Sequence, residues 1–169
     1  RAVVVGAGDV GRQLERRLTP FDVRVTMVGM TAREGVRGVD ELPSLLPDAD
    51  IVVLLVPLTS RTRGMVDAGF LAAMPDGGVL VNAARGPVVD TDALLGELAT
   101  RRLRAILDVT DPEPLPEGHP LWTAPNVTIT PHTGGFVNGR LARSYTVVAK
   151  ELERYAGGEL PENLVHGEY

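Results

Sequence analysis

Short, wholly apolar runs alternate along this chain with longer stretches whose apolar residues recur every three or four positions. Ala2–Val5 is the first run. It is too short for a helix and bounded by glycine, so it predicts a buried strand. Val10, Leu14 and Leu18 then recur at helical intervals. Residues 23–28, after the Pro20 break, read as a second strand. Residues 39–46 read as a short helix, with Asp40 as its N-cap and Pro47 beyond its end. Residues 51–56 are apolar throughout, the mark of a central parallel strand covered on both faces. The alternation continues with a helix around 67–74, a strand at 78–82, and a helix capped by Asp90 or Thr91 that runs through Thr100. Strands follow at 103–107 and 127–130, and a last helix spans about 138–156 and stops at Gly157-Gly158. Six strands separated by helices predict an α/β fold with a doubly wound parallel sheet.

The turn after the first strand sharpens that picture. Gly6, Gly8 and Gly11 stand in G-x-G-x-x-G spacing between strand and helix. Gly6 permits the tight turn, Gly8 lets the backbone approach a pyrophosphate, and Gly11 lets helix and strand pack closely. The helix N-terminus adds free N–H groups and the positive end of its dipole. This is the Rossmann-type dinucleotide fingerprint, although a glycine turn ahead of any buried helix has the same look.

Composition then removes whole classes. The 169 residues suffice for one well-packed domain. The net charge of −5 argues against nucleic acid. The absence of cysteine excludes disulfides and thiolate metal sites, and no metal site is expected. No apolar run approaches membrane-spanning length and no signal peptide is visible, which makes the cytoplasm the default. The sequence opens inside its first strand without an initiator methionine, as a piece of a longer polypeptide would.

In such sheets ligands bind beyond the carboxyl ends of the strands. Three loops there carry reactive groups: 82–87 with Arg85, 108–114 with Asp108 and Glu113, and 130–135 with His132. Singly, each residue could be an ordinary loop charge. Together they suit one task. Histidine exchanges a proton near neutral pH. A buried carboxylate beside it would fix its tautomer and raise its pKa. Arginine offers a planar fork that matches a carboxylate.

Five blocks carry a family resemblance: Gly6-Ala-Gly-Asp-Val-Gly11, Val56-Pro-Leu-Thr-Ser-Arg-Thr-Arg-Gly64, Val81-Asn-Ala-Ala-Arg-Gly-Pro-Val-Val-Asp90, Leu107-Asp-Val-Thr-Asp-Pro-Glu-Pro-Leu-Pro116 and Thr130-Pro-His-Thr-Gly-Gly135. In order and spacing the chain resembles the D-isomer-specific 2-hydroxyacid dehydrogenases, down to the tail at 157–165. The resemblance implies an oxidoreductase that moves a hydride between NAD(P)H and a small 2-keto or 2-hydroxy acid. It implies Arg85 as the substrate clamp, His132 as the general acid or base, and Glu113 as the partner of His132. At the cofactor it implies Gly6, Gly8, Asp9, Val10 and Gly11 around the pyrophosphate, and Pro57 and Thr62 along the adenosine and ribose. Asp108 is placed at the nicotinamide carboxamide, with Ala84 beside the cofactor and Gly134 and Gly135 close to the ring.

The cofactor's identity turns on the end of the second strand. An NAD site usually has an acid there, but here the chain reads Val28-Gly29-Met30, with no acid before Glu34. Thr31, Arg33 and Arg37 follow, which leans the reading towards NADP over NAD. Asp9 departs from the basic or small residue frequent in this loop of the family, and could cap the helix instead. Residues 136–138 also depart from the usual small residues. Residues 1–137 are read as the dinucleotide-binding domain and 138–169 as a helix and tail returning towards a substrate domain that is largely absent. The chain alone should therefore turn over poorly, and the intact protein should be a homodimer. A non-catalytic, corepressor-like dinucleotide sensor and a sibling dehydrogenase for phosphite or formate stay open as alternatives. Trp122 is read as packed near the sheet edge, and His119 and His166 are assigned nothing.

Overall fold

A computed structural model describes residues 1–162 and 164. Its framework is a seven-stranded, wholly parallel sheet: β1 (Ala2–Val5), β2 (Val25–Gly29), β3 (Arg37–Gly38), β4 (Ile51–Leu54), β5 (Val79–Asn82), β6 (Arg104–Leu107) and β7 (Val127–Ile129). Their order across the sheet is β3-β2-β1-β4-β5-β6-β7, with every pairing parallel. Chain order reverses between β1 and β4. That reversal opens a crevice above their carboxyl ends.

The strict alternation of strand side chains divides the core between two faces. Val3, Val5, Val52, Leu54, Leu80 and Leu107 pack into the larger cluster. They meet residues from α2 (Leu42–Leu45), α3 (Ala68–Ala73) and α4 (Thr91–Ala99). Val4, Met27 and Val53 face the other way, into a smaller cluster that Leu14 of α1 (Asp9–Leu18) joins. Each fully buried leucine, such as Leu71, Leu80, Leu94 or Leu98, contributes roughly 1.5–3 kcal/mol.

Local chemistry sets the helix ends. Asp67 Oδ1 accepts the Phe70 N–H at 2.8 Å, and Asp90 Oδ1 accepts the Ala93 N–H at 3.0 Å, each cap stabilising its helix by about 1 kcal/mol. Asp90, not Thr91, is the cap of α4. Arg102 closes the other end of α3. Its guanidinium donates to the carbonyls of Leu71 and Met74 at 2.6 and 2.7 Å and to Glu97 Oε2 of α4 at 2.6 Å. The Glu97 carboxylate holds this guanidinium above its ordinary pKa.

Several sequence expectations need correction. Strand β3 has only two residues, too few to show any period. The stretch 39–48 is a short α-helical turn between two 3-10 turns. Its N-cap is Gly38 and not Asp40, and the Gly38 N–H is taken by Glu41 Oε1 at 2.9 Å. Strand β4 ends at Leu54, two residues before the apolar run does. Val10 points outward, 67% exposed, while Gly11 is the buried residue of α1. Leu14 and Leu18 are half-buried on the expected stripe, so only its first position differs: Gly11, which carries no hydrophobic signal, takes the inward place expected of Val10. Trp122 is 54% exposed rather than packed; its indole N–H is held by the Pro116 carbonyl at 2.9 Å.

The chain divides into two compact units, Arg1–His132 and Thr133–Tyr169. The second contains α5 (Arg140–Ala156), which ends at Gly157-Gly158 as the sequence predicts. None of the residues of α5 is buried, and Leu141, Tyr145, Val148, Leu152 and Tyr155 form an exposed apolar stripe along it. Of the tail motif, residues 163 and 165 lie outside the described residues, as does His166. No helix among the described residues is long and apolar enough to cross a membrane.

Candidate active site

The crevice begins at the glycine turn. Gly6 has φ 124°, a conformation that side chains rarely adopt. Gly11 lies directly on this turn, and a methyl group there would run into the Gly6 carbonyl oxygen and the Met27 side chain. Gly8 differs from both. Nothing stands within 4 Å of the position its Cβ would take. No side chain caps α1, so its first-turn N–H groups lack a side-chain acceptor beside this open space. A dinucleotide pyrophosphate fits that cradle, both in room and in charge. Asp9 does not cap the helix, because the N-cap is Gly8 and Asp9 is already the first helical residue. Its carboxylate still sits favourably in the first turn.

After β2 the chain reverses tightly. The reversal is closed by Arg33 N–H to Val36 O at 2.9 Å and Val36 N–H to Arg33 O at 2.8 Å. Arg33 Nη2 reaches back to the Ala7 carbonyl at 2.9 Å, which lays its guanidinium beside the glycine turn. Arg37 is engaged elsewhere, paired with Glu41 at 2.8 Å. Thr31 and Glu34 are exposed. In the loop after β4 Pro57 is exposed, but Thr62 is buried. The Thr62 hydroxyl donates to the Pro57 carbonyl at 2.7 Å and accepts the Thr59 N–H at 2.8 Å. Thr62 therefore shapes the loop and has no hydroxyl donor left over. A mostly apolar hollow of about 470 Å³ opens between α2 and α3, with Met30 and Arg61 on its lining. It includes none of Arg85, Glu113 and His132.

The reactive groups stand beyond β5, β6 and β7. His132 Nδ1 and Glu113 Oε1 are 2.7 Å apart. The pair joins two loops 19 residues apart in sequence. Its side chains are 48% and 39% exposed, so the buried carboxylate expected from sequence is a half-open one, because both residues sit on loops that rise past the sheet. His132 has φ 55°, an uncommon backbone state that clusters at functional sites. Next to this pair, Thr130 Oγ1 donates to Asp108 Oδ1 at 2.5 Å, tying the end of β7 to the end of β6. Arg85 follows β5, and its Nη1 donates to the carbonyl of the buried Ala84 at 2.6 Å. Sequence reasoning missed Asn82 and Thr130. A polar residue at a strand end gives no pattern that marks it as buried or bonded. Gly134 and Gly135 belong to the second unit.

A parallel sheet with a glycine cradle at one end of its crevice and a histidine–carboxylate pair on the same edge defines a dinucleotide-binding α/β domain. The family model "D-isomer specific 2-hydroxyacid dehydrogenase, NAD binding domain" matches residues 1–134. The chain belongs to this family. It is 36% identical to a glyoxylate reductase of Thermofilum pendens over 98% of its own length and 51% of the relative's. It is 34% identical to the chloroplastic/mitochondrial formate dehydrogenase of Arabidopsis thaliana, covering 92% of this chain and 42% of that one. Among solved structures, a D-isomer specific 2-hydroxyacid dehydrogenase from Xanthobacter autotrophicus Py2 in complex with NADPH and MES superposes with a TM-score of 0.88. The two share 38% identity over 98% of this chain and 54% of that one. The chain spans about half the length of the curated relatives it matches. The family's domain is an NAD binding domain and the Xanthobacter autotrophicus structure holds NADPH, and a nicotinamide dinucleotide fits this domain.

Proposed function

We propose that this chain is the cofactor-binding half of an enzyme that reduces small 2-keto acids to D-2-hydroxy acids with NADPH. The observation that carries this reading is the His132–Glu113 pair at 2.7 Å, on the same sheet edge as the glycine cradle. Bound nicotinamide supplies the hydride that reaches the keto carbon. With Nδ1 held by Glu113, the Nε2 of His132 is the nitrogen that delivers a proton to the forming alkoxide, and takes it back in the oxidative direction. Arg85 grips the substrate's carboxylate with its planar fork. Exchanging its single bond to the neutral Ala84 carbonyl for two parallel bonds to an ionised carboxylate is favourable, since the bidentate pair adds the acceptor's charge and a second bond.

The preference for NADPH rests on the reversal after β2. No carboxylate ends that strand, and Arg33 lies against the glycine turn at Ala7, where a 2′-phosphate would meet a cation. The NADPH bound to the Xanthobacter autotrophicus relative accords with this. The test is a panel of glyoxylate, hydroxypyruvate and phenylpyruvate with NADPH and NADH, run on the complete gene product. NADPH oxidation that depends on a keto acid is expected. Tight cofactor binding with no turnover on any of them would overturn the reading in favour of a dinucleotide-sensing binding protein.

A further inference from the structure

Three polar side chains are buried among the described residues: Thr62, Asn82 and Thr110. Asn82 and Thr110 belong to the two loops that carry Arg85 and Glu113. Asn82 is 1% exposed and is the last residue of β5, paired with Leu54 of β4 on one side and Leu107 of β6 on the other. Its backbone carbonyl accepts the Asp108 N–H at 2.9 Å, so its Cα is fixed by the centre of the sheet.

Its side chain reaches forward into the turn that follows. Oδ1 accepts the Ala84 N–H at 3.1 Å, and Nδ2 donates to the Arg85 carbonyl at 3.1 Å. The amide in this orientation serves both groups at once, its oxygen meeting the N–H and its nitrogen the C=O, which a carboxylate could not do. The Arg85 carbonyl also accepts the Val88 N–H at 3.2 Å. On the far side of the turn, Gly86 lies directly on the backbone of Thr110, and any Cβ there would run into the Thr110 carbonyl. The Thr110 hydroxyl donates to the Pro112 carbonyl at 2.9 Å, one residue before Glu113. Thr91 of α4 donates to the Asp111 carbonyl at 3.1 Å. The Arg85 turn is thus clamped by Asn82 from below and by the Glu113 loop from the side.

We infer that Asn82 is the positioning residue for Arg85, fixing the height of its Cα above the sheet so that the guanidinium fork meets a substrate carboxylate beside His132. The inference rests on the proposed reduction of 2-keto acids. Aspartate at 82 would keep the bond from Ala84 but lose the donor to the Arg85 carbonyl, and its charge would repel that oxygen. The turn would loosen while the sheet and the glycine cradle stayed intact.

The test compares Asn82→Asp, Arg85→Ala and the double variant in the complete gene product, using NADPH and the best keto acid of the panel above. Asn82→Asp is expected to raise the KM for the keto acid at least tenfold and leave the NADPH KM within twofold. In the Arg85→Ala background the same substitution should change the keto-acid KM less than twofold, since the residue it positions is gone. A parallel rise in both Michaelis constants, or the same tenfold cost in the Arg85→Ala background, would overturn the inference. If Asn82→Asp does not fold, Asn82→Ser carries the same readout with a smaller KM shift. Arg85→Ala without effect on turnover would instead sink the functional reading itself, so the two failures are distinguishable.

Discussion

At the glycine turn backbone lies on backbone, whereas at the opposite end of the crevice side chains from separate loops meet in half-open surroundings. Gly11 rests on the Gly6 carbonyl with no room for a methyl group. The His132–Glu113 pair has side chains that are both more than a third exposed. The difference teaches where each kind of damage will register. A change at the turn strains the fold and reaches the cofactor through it. A change at the pair leaves the fold alone and removes chemistry.

The largest expected effect tests the chemical end. His132→Ala should lower kcat by roughly 10²–10⁴-fold with the NADPH Kd within twofold, measured by steady-state kinetics beside a fluorescence titration. Cofactor binding that collapsed together with turnover would erase the distinction between the two ends. Next comes Gly11→Ala. Overpacking against Gly6 and Met27 should cost about 1–3 kcal/mol, read as a lower urea midpoint accompanied by weaker NADPH binding. Arg102→Ala supplies the control away from both ends. Removing its bonds to Leu71, Met74 and Glu97 should cost about 1–3 kcal/mol, with NADPH and keto-acid Michaelis constants unchanged. Gly8→Ala separates strain from contact within the turn itself. Its Cβ meets nothing, so stability should change by less than about 1 kcal/mol while the NADPH Kd weakens about tenfold, or about 1.4 kcal/mol. Smallest is Arg33→Ala. It should cut the preference for NADPH over NADH about fivefold, about 1 kcal/mol, in paired Kd measurements.

Much of the framework could be read from residue order, and the misreadings have physical causes. The runs at β1, β4 and β5 announced themselves because a parallel strand covered on both faces tolerates few polar residues. Helix α1 matches its expected stripe at Leu14 and Leu18, but Val10 is a false apolar mark, since the residue that makes the close contact at that end is a glycine. Glu113 and His132 lie in contact, but half-open where a buried carboxylate is expected, because exposure depends on how far their loops climb past the sheet. Asn82 stands in one of the five blocks, yet nothing in the sequence gives it a role of its own. Its amide looks like any polar residue ending a strand until the turn above it is drawn.

What the chain determined unaided was the parallel α/β framework and the shape of the glycine turn. Both follow from forces acting over a few residues: alternating burial in the one case, and the room a Cβ needs in the other. Tertiary structure alone decided that Arg33 folds back on Ala7, that Asn82 clamps the Arg85 turn, and how open the Glu113–His132 pair stands. Those contacts depend on strand order and register, which fix where loops distant in sequence emerge, and no local pattern encodes that distance.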